Sequence, residues 1–383
     1  MAEDLNTLRQ SIDSIDKEMV ALFRRRMEVS RQVAAYKKEH GLPTLDAGRE
    51  RALLGKVAEQ AGEELADYTQ SVYRSILAAG RSYQNQCNGV HSQVYDTIRK
   101  ALDNTPDLFP QRATVACQGI EGAYSQIACD SIFKSPTILY FNTFEHVFKA
   151  VESGMCQYGV LPIENSTAGS VNAIYDLMTR HNFSIVRSAR LKVSHNLLGK
   201  YGVKKEDIKE VYSHQQAISQ CADYLAGLKD VKVTVVENTA MAARMVAQSD
   251  RTDVAALSSR FCAEEYGLNL LDTNVQDQDN NYTRFICISK NPEIYPGADR
   301  TSLMMTLPHK PGSLYNVLSK FYALGINLRK LESRPLPDRE FEFMFYFDLE
   351  CSVYAPEMER IFRDLESESE QLRYLGTYNE IIC

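Results

Sequence analysis

The sequence predicts a multidomain chain of α and α/β class: an all-helical segment, a two-lobed α/β segment and a ferredoxin-like βαββαβ segment. Three changes of hydrophobic rhythm carry that reading. Apolar residues first recur at steps of three and four. From about Ala113, short β-branched runs alternate with helical patterns, and from about Thr301 the order becomes strand, helix, strand, strand, helix, strand. A chain of 383 residues has room for two or three domains. The expected boundaries are 1–90, a connector over 91–112, then 113–292 and 298–383.

Bulk composition narrows the function classes. A net charge of -7 argues against nucleic-acid binding, which needs a dense basic face. No apolar run approaches the ~20 residues of a membrane span. The polar, acidic start (residues 1–10) lacks the layout of a signal peptide. Nine cysteines and seven histidines are scattered without C-x-x-C pairs, which fits reduced thiols and no structural metal. A cytoplasmic location is expected, without metal or cofactor.

In the helical segment, Leu5, Leu8, Ile12, Ile15, Met19, Leu22, Val29, Val33 and Tyr36 form a heptad seam ended by Gly41-Leu42-Pro43. A helix this long cannot bury its stripe in a small monomeric domain, so a homodimer or higher homo-oligomer is expected. Helical stretches over about 46–60 and 67–86 follow, and 87–112 reads as a partly helical connector. Arg26 interrupts the seam. Lys37 lies eleven residues on, ~16 Å along the axis and ~20° around it. One such cation reads as snorkelling from an interface; two on one face point to a buried anion site. Arg9 stands ~26 Å before Arg26 and ~100° off that face, so it reaches only the site of a second copy.

Residues 1–86 with this pattern resemble the all-helical chorismate mutases, intertwined dimers with two shared sites. The resemblance implies chorismate as substrate, with Arg9 from a second copy, Arg26 and Lys37 on its two carboxylates. Lys37 and Gln84 would bond the breaking ether oxygen, and Glu50 the hydroxyl. Asp46 and Arg49 match as supporting members, although Asp46 also reads as a helix N-cap. The pericyclic reaction needs no nucleophile or general base, only a clamped conformer and stabilised charge on the ether oxygen. Gly80 stands where the family usually has serine, so a weakened or altered mutase is expected; a vestigial mutase domain kept for dimerisation is the alternative.

The α/β segment shows strands at 114–117, 159–162, 210–212 and 233–236, each followed by a polar loop and a helix. That is the rhythm of parallel strands, and two groups with a long connection suggest two lobes facing a cleft. The loops after them, Gly122-Ala123-Tyr124-Ser125, Glu164-Asn165-Ser166-Thr167, Ser213-His214-Gln215-Gln216 and Asn238-Thr239-Ala240, carry hydroxyl and amide groups at helix starts. One such loop is ordinary capping; four favour a carboxylate-binding cleft. Gly119-x-x-Gly122 lacks the full dinucleotide spacing, so a nicotinamide cofactor is not expected.

Gln118–Ser125, Pro162-Ile163-Glu164-Asn165-Ser166, Tyr212-Ser213-His214 and Asn281-Tyr282-Thr283-Arg284-Phe285 resemble, in that order, prephenate dehydratase. The resemblance implies two periplasmic-binding-protein-like α/β lobes and conversion of prephenate to phenylpyruvate by decarboxylative dehydration. Thr283 would assist the departing hydroxyl by a hydrogen bond, since a threonine hydroxyl is a poor acid. Arg284 would clamp the carboxylate, with Tyr124, Ser125, Asn165, Ser166, Ser213, Asn281 and Phe285 around the substrate. Glu164 and His214 would be site residues or orienters. Ala123, Gln215 and Asn196 depart from the family's commonest residues at positions without direct chemistry.

The last segment reads strand 301–307, helix 313–324, strand 327–333, strand 341–349, helix 356–366 and strand 372–380. Pro311-Gly312-Ser313-Leu314 and Glu332-Ser333-Arg334-Pro335 read locally as a turn and a strand end. With this element order they resemble the ACT regulatory domain of phenylalanine-controlled dehydratases. That implies L-phenylalanine as effector, bound by Pro311, Gly312, Leu314, Glu332, Ser333 and Arg334 at an interface between two such domains. The expected whole is a bifunctional enzyme of phenylalanine biosynthesis under feedback control. A non-catalytic phenylalanine sensor is the rival from another class.

Overall fold

The first helix, α1 (Leu5–Glu39), runs 35 residues, and its seam from Leu5 to Tyr36 lies between 38% and 60% exposed within the single chain. The computed structural model describes residues 4–336, 342–355 and 357–383. By packing, the chain divides into two units, Met1–Asp96 with Pro356–Ser367, and Thr97–Ala355 with Glu368–Cys383.

In the first unit α2 (Ala47–Ala61) and α3 (Ala66–Cys87) fold back beside α1, and α4 (Gln93–Asn104) leads onward. Asp46 caps α2 by accepting from the Arg49 N–H at 2.9 Å. Gln70 of α3 donates to the Leu54 carbonyl of α2, and Thr44 donates to Asn85 at 2.9 Å.

The second unit begins with β1 (Thr114–Gln118), α5 (Tyr124–Ile132), β2 (Thr137–Phe141), α6 (Phe144–Glu152), β3 (Tyr158–Asn165), β4 (Gly169–Ser170), α7 (Asn172–Met178) and β5 (Ser184–Lys192). The chain then crosses to a second lobe of β6 (Asn196–Gly199), β7 (Glu210–Ser213), α8 (Gln215–Gln220), α9 (Ala222–Ala226), β8 (Lys232–Val235), α10 (Thr239–Gln248), β9 (Val254–Ser258), α11 (Arg260–Glu265) and β10 (Asn269–Asp272). It returns as β11 (Tyr282–Ser289). The first lobe's strands are ordered β5-β11-β3-β1-β2 and the second lobe's β10-β6-β9-β7-β8. The expected parallel pairing holds for β1 with β2 and β3, and for β7 with β8 and β9. The return strand β11 is antiparallel to both β3 and β5, as it must be when it re-enters from the other lobe. Each sheet buries β-branched and aliphatic residues on both faces, as covered parallel sheets do.

The remaining elements are β12 (Arg300–Thr306), α12 (Ser313–Ala323), β13 (Asn327–Pro335), β14 (Phe343–Glu350), α13 (Met358–Glu368), β15 (Gln371–Tyr378) and β16 (Glu380–Ile382). The expected strand and helix starts at Phe341 and Pro356 lie outside the described residues. The antiparallel sheet order β13-β14-β12-β15 is the ferredoxin-like arrangement. α13 packs in the helical unit, where Phe362 stacks on Tyr95 and Asp364 accepts from Ser82 at 2.6 Å.

One expectation is corrected here. The last strand does not run unbroken from 372 to 380; it stops at Tyr378, and β16 leaves for the first lobe, pairing in parallel with β5. Gly376 lets the two sheets approach, since a Cβ there would overlap the Ile185 carbonyl of β5. Met304, Met344, Tyr346, Leu375 and Tyr378 accordingly share one core with Val147, Ile163 and Tyr175 of the first lobe.

Candidate functional site

The ends of β3 and β11 are neighbours, with Asn165 opposite Thr283 and Glu164 opposite Arg284. Strand side chains alternate between faces, so these four residues separate into two pairs. Asn165, buried, donates from Nδ2 to Thr283 Oγ1 at 2.9 Å, to Asn281 Oδ1 at 2.8 Å and to the Tyr282 carbonyl at 3.2 Å. Its Oδ1 accepts from the backbone N–H groups of Thr167 and Ala168 and from the Thr167 hydroxyl. Gln216 and Gln220 arrive from α8 of the second lobe, Gln216 at 3.5 Å from Asn165 Oδ1 and Gln220 at 2.8 Å from both Thr167 and Asn281. The amide cluster therefore bridges the two lobes.

The walls beside it are held by the same kind of bond. Ser166 Oγ accepts from the Tyr282 N–H and donates to the Asn280 carbonyl, fastening the end of β3 to the return crossing. Ser125, buried, sits in the first turn of α5. The loop before α5 is pressed against the second lobe: Gly122 has φ +84 and a Cβ there would meet Cys262 Sγ at 2.8 Å. His214 caps α8, its Nδ1 accepting from the Gln216 N–H at 3.3 Å.

Several residues expected around the substrate are placed elsewhere. Arg284 faces the ferredoxin-like sheet, ion-paired to Asp348, bonded to the Tyr378 hydroxyl at 2.9 Å and 3.2 Å from Glu380. Burial works against its charge, but Tyr378 and Asp348 outweigh burial and hold its pKa above the usual arginine value. It is corrected from a carboxylate clamp to an internal counter-ion, because strand alternation turns it from Thr283. Glu164 is corrected likewise: it accepts from Lys330 of β13 at 2.7 Å. Ser213 is fully buried and donates to the Leu257 carbonyl inside the second sheet. Phe285 is 2% exposed within the first lobe's core. The Tyr124 hydroxyl donates to the Ser194 carbonyl and accepts from its N–H, so it pins the crossing between lobes. Gln220 and His195 were missed, since an amide inside a helix and a lone histidine carry no spacing signal; Thr167 and Gln216 lay in the expected anion-binding loops without a role of their own.

In the helical unit, half-buried Arg26 and Lys37 of α1 lie along α3. Arg26 Nη1 is 3.5 Å from the Ile76 carbonyl and Lys37 Nζ donates to the Thr44 carbonyl at 2.6 Å. Glu50 receives Arg81 on both oxygens, at 2.5 and 2.7 Å, a partner that the sequence reading missed. Gln84 Oε1 is buried without a hydrogen-bond partner among the described residues. A Cβ on Gly80 would make ordinary contacts with Arg26 at 3.4 Å and Ser30 at 3.8 Å. Arg9 and Arg49 are exposed in the single chain.

A cavity of about 360 Å³ opens beside the start of α12, lined by Leu307, Pro308, Pro311, Leu314, Phe343 and Phe345 among others. Gly312, at φ +86, caps that helix. The β13 residues divide between two faces. Glu332 accepts from Ser170 at 2.6 Å and Arg334 holds Asp176 through two bonds, so both are corrected from effector contacts to struts on the first lobe. Ser333 faces the other way. Among the described residues no cluster suits a metal ion, and no helix is long and apolar enough to cross a membrane.

The family model for prephenate dehydratase matches residues 115–293 and that for chorismate mutase type II matches residues 8–85. The chain therefore joins a mutase module to a dehydratase module. A bifunctional chorismate mutase/prephenate dehydratase of Enterobacter agglomerans is 30% identical, over 98% of this chain and 95% of that one. The arogenate dehydratase/prephenate dehydratase 2, chloroplastic, of Arabidopsis thaliana is 39% identical over 80% of this chain and 87% of that one. Among solved structures, a prephenate dehydratase from Arthrobacter aurescens in complex with L-Phe is 27% identical, with a TM-score of 0.64, and covers 70% of this chain and 90% of that one. The chain belongs to the bifunctional chorismate mutase/prephenate dehydratase family and is an enzyme of phenylalanine biosynthesis, turning chorismate into prephenate and prephenate into phenylpyruvate.

Proposed function

We propose that Thr283 donates a hydrogen bond to the departing ring hydroxyl of prephenate. The contact between Asn165 Nδ2 and Thr283 Oγ1 carries this reading. An amide nitrogen only donates, so the threonine proton is not consumed there and stays available to a substrate. As the ring carboxylate leaves as carbon dioxide, the electron pair of the breaking C–C bond aromatises the ring and expels the hydroxyl, which takes up a proton and leaves as water. A fixed donor at that oxygen is an electrostatic contribution of about 10²–10³ in rate. With Arg284 turned away, the side-chain carboxylate falls to Ser125 and the free first-turn N–H groups of α5. Ser125, Ser166, Asn165, Asn281, Gln220 and Thr283 are all uncharged, which favours the keto acid prephenate over the ammonium-bearing arogenate.

Thr283→Ala should leave prephenate formation from chorismate intact and lower phenylpyruvate formation at least about a hundredfold. Following both products from chorismate in one reaction checks it. Phenylpyruvate formation near the unaltered rate would remove Thr283 from the mechanism.

For the mutase step, Arg26, Lys37, Glu50 and Gln84 form the substrate groove, with Arg81 holding Glu50. The exposed seam of α1 supports pairing with a second copy, which brings Arg9 into the groove. The cavity beside Pro311 and Leu314, walled by Phe343 and Phe345, suits the ring of L-phenylalanine, and the effector complex of the relative supports that assignment. Feedback inhibition is supported by the adjacency of Glu164 and Arg284, which meet the regulatory sheet, to Asn165 and Thr283 on the same strands. Nine free cysteines, with Cys87 and Cys383 exposed, favour a reducing, cytoplasmic setting.

A further inference from the structure

His195 lies between β5 and β6, on the first of the two crossings that join the lobes, and is 3% exposed. Its backbone N–H donates to Gln276 Oε1 and its carbonyl accepts from the Val275 N–H, tying the outgoing crossing to the return. Its ring Nε2 is 2.9 Å from Gln220 Oε1, while Nδ1 is buried with no hydrogen-bond partner among the described residues.

The proton positions in this network follow from one fixed end. The N–H groups of Thr167 and Ala168 can only donate, so the Asn165 atom facing them is its oxygen. Its NH₂ therefore faces Thr283 and Asn281. Asn281 must accept with Oδ1, which leaves its NH₂ for Gln220, and Gln220 must accept with Oε1. The histidine nitrogen on that oxygen must then carry hydrogen. Burial keeps the ring below the usual histidine pKa and so neutral at pH 7, which leaves Nδ1 as a bare lone pair. A buried polar atom without a partner is destabilising, a penalty that a leucine of similar size would not carry. The donor on Nε2 is what offsets it.

We propose that His195 is a positioning residue of the dehydratase site, held as its neutral Nε2–H tautomer so that Gln220, Asn281 and Asn165 are fixed in the one orientation that leaves the Thr283 proton free. It acts through Gln220 and touches no substrate. The inference rests on the reading of Thr283 as the donor.

The test uses the full-length enzyme with His195→Leu, which keeps bulk without a donor, and His195→Gln, which returns an N–H near the Nε2 position. His195→Leu should lower kcat for prephenate about a hundredfold, the scale of a misplaced reacting group, with KM changed by less than about threefold. His195→Gln should recover kcat to within about tenfold of the unaltered enzyme, and chorismate consumption by the mutase should be equal in all forms. In a Thr283→Ala background His195→Leu should add little, because residues acting as one unit are not additive. Unchanged kcat in His195→Leu, or equal losses in the leucine and glutamine forms, would overturn the proposal. If Thr283→Ala alone stays active while His195→Leu is slow, the network serves another group and the Thr283 reading fails instead. An independent readout needs no variant to fold: ¹⁵N-labelled histidine spectra of the intact enzyme at pH 7 should show His195 as the Nε2–H tautomer. An Nδ1–H tautomer or an imidazolium there rules the proposal out.

Discussion

At the scale of single residues, Gly80 shows how little a missing side chain need cost. Its place in α3 has room for a Cβ against Arg26 and Ser30, and its only standing penalty is helix propensity. Gly80→Ser should stabilise the helical unit by about 0.5 kcal/mol and leave chorismate turnover equal or higher; denaturant midpoints and initial rates measure the two effects. Glu210 is the opposite case, a residue held by many partners. Hydrogen bonds from Thr234, Arg251 and Lys232 lower its pKa to about 2. A lowered carboxyl pKa contributes stability above the unfolded value, about 4.3, and that contribution disappears as pH falls towards the folded value. The urea midpoint of Glu210→Gln should therefore lie below that of the unaltered protein above about pH 5. The gap should narrow steadily as pH drops to 3. A gap independent of pH would mean that the ion pairs contribute nothing.

At the scale of elements, β3 and β11 carry two messages on two faces. One face presents Asn165 and Thr283; the other presents Glu164 and Arg284 to Lys330 and Asp348 of the ferredoxin-like sheet. Lys330→Met should leave the uninhibited dehydratase rate within about twofold and raise the phenylalanine concentration for half-inhibition about tenfold, a coupling of ordinary size. Inhibition curves on the purified enzyme decide this. This alternation also marks where reading the sequence stops. Hydrophobic period gave the helices of the first segment and the element order of the last, but in the two lobes it named only β1, β3, β7 and β8; the motif from Asn281 to Phe285 marked the return strand β11. Yet a motif names neighbours along the chain, and a strand sends neighbours to opposite faces. Arg284 was therefore drawn into a cleft that Asn281 and Thr283 face, while Phe285, two residues further along the strand, lies deeper, in the first lobe's core. Gln220 and His195 stayed invisible because their partners are 61 and 25 residues away and no local pattern links them.

For the molecule as a whole, the first helix exposes a seam that the single chain leaves open, and the proposed pairing with a second copy would bring Arg9 to Arg26 and Lys37. Replacing Leu22 and Val29 together by Asp should dissolve the pairing. Chorismate turnover should then fall at least about a hundredfold, the cost of one lost charged contact, while dehydration of added prephenate persists. Sedimentation velocity and separate assays of the two steps measure this. Survival of mutase activity in a demonstrated monomer would show that the groove is complete in one chain.

The strand β16 has a bearing on how the protein is made. It completes the first lobe's sheet beside β5, yet it is synthesised only after the entire ferredoxin-like sheet. At 5–20 residues per second, β5 waits about 10–40 s on the ribosome before its neighbour exists. Throughout that interval its open edge can pair with strands of other nascent chains. Crowding on a busy messenger would then set the yield of soluble enzyme, independently of how stable the finished fold is.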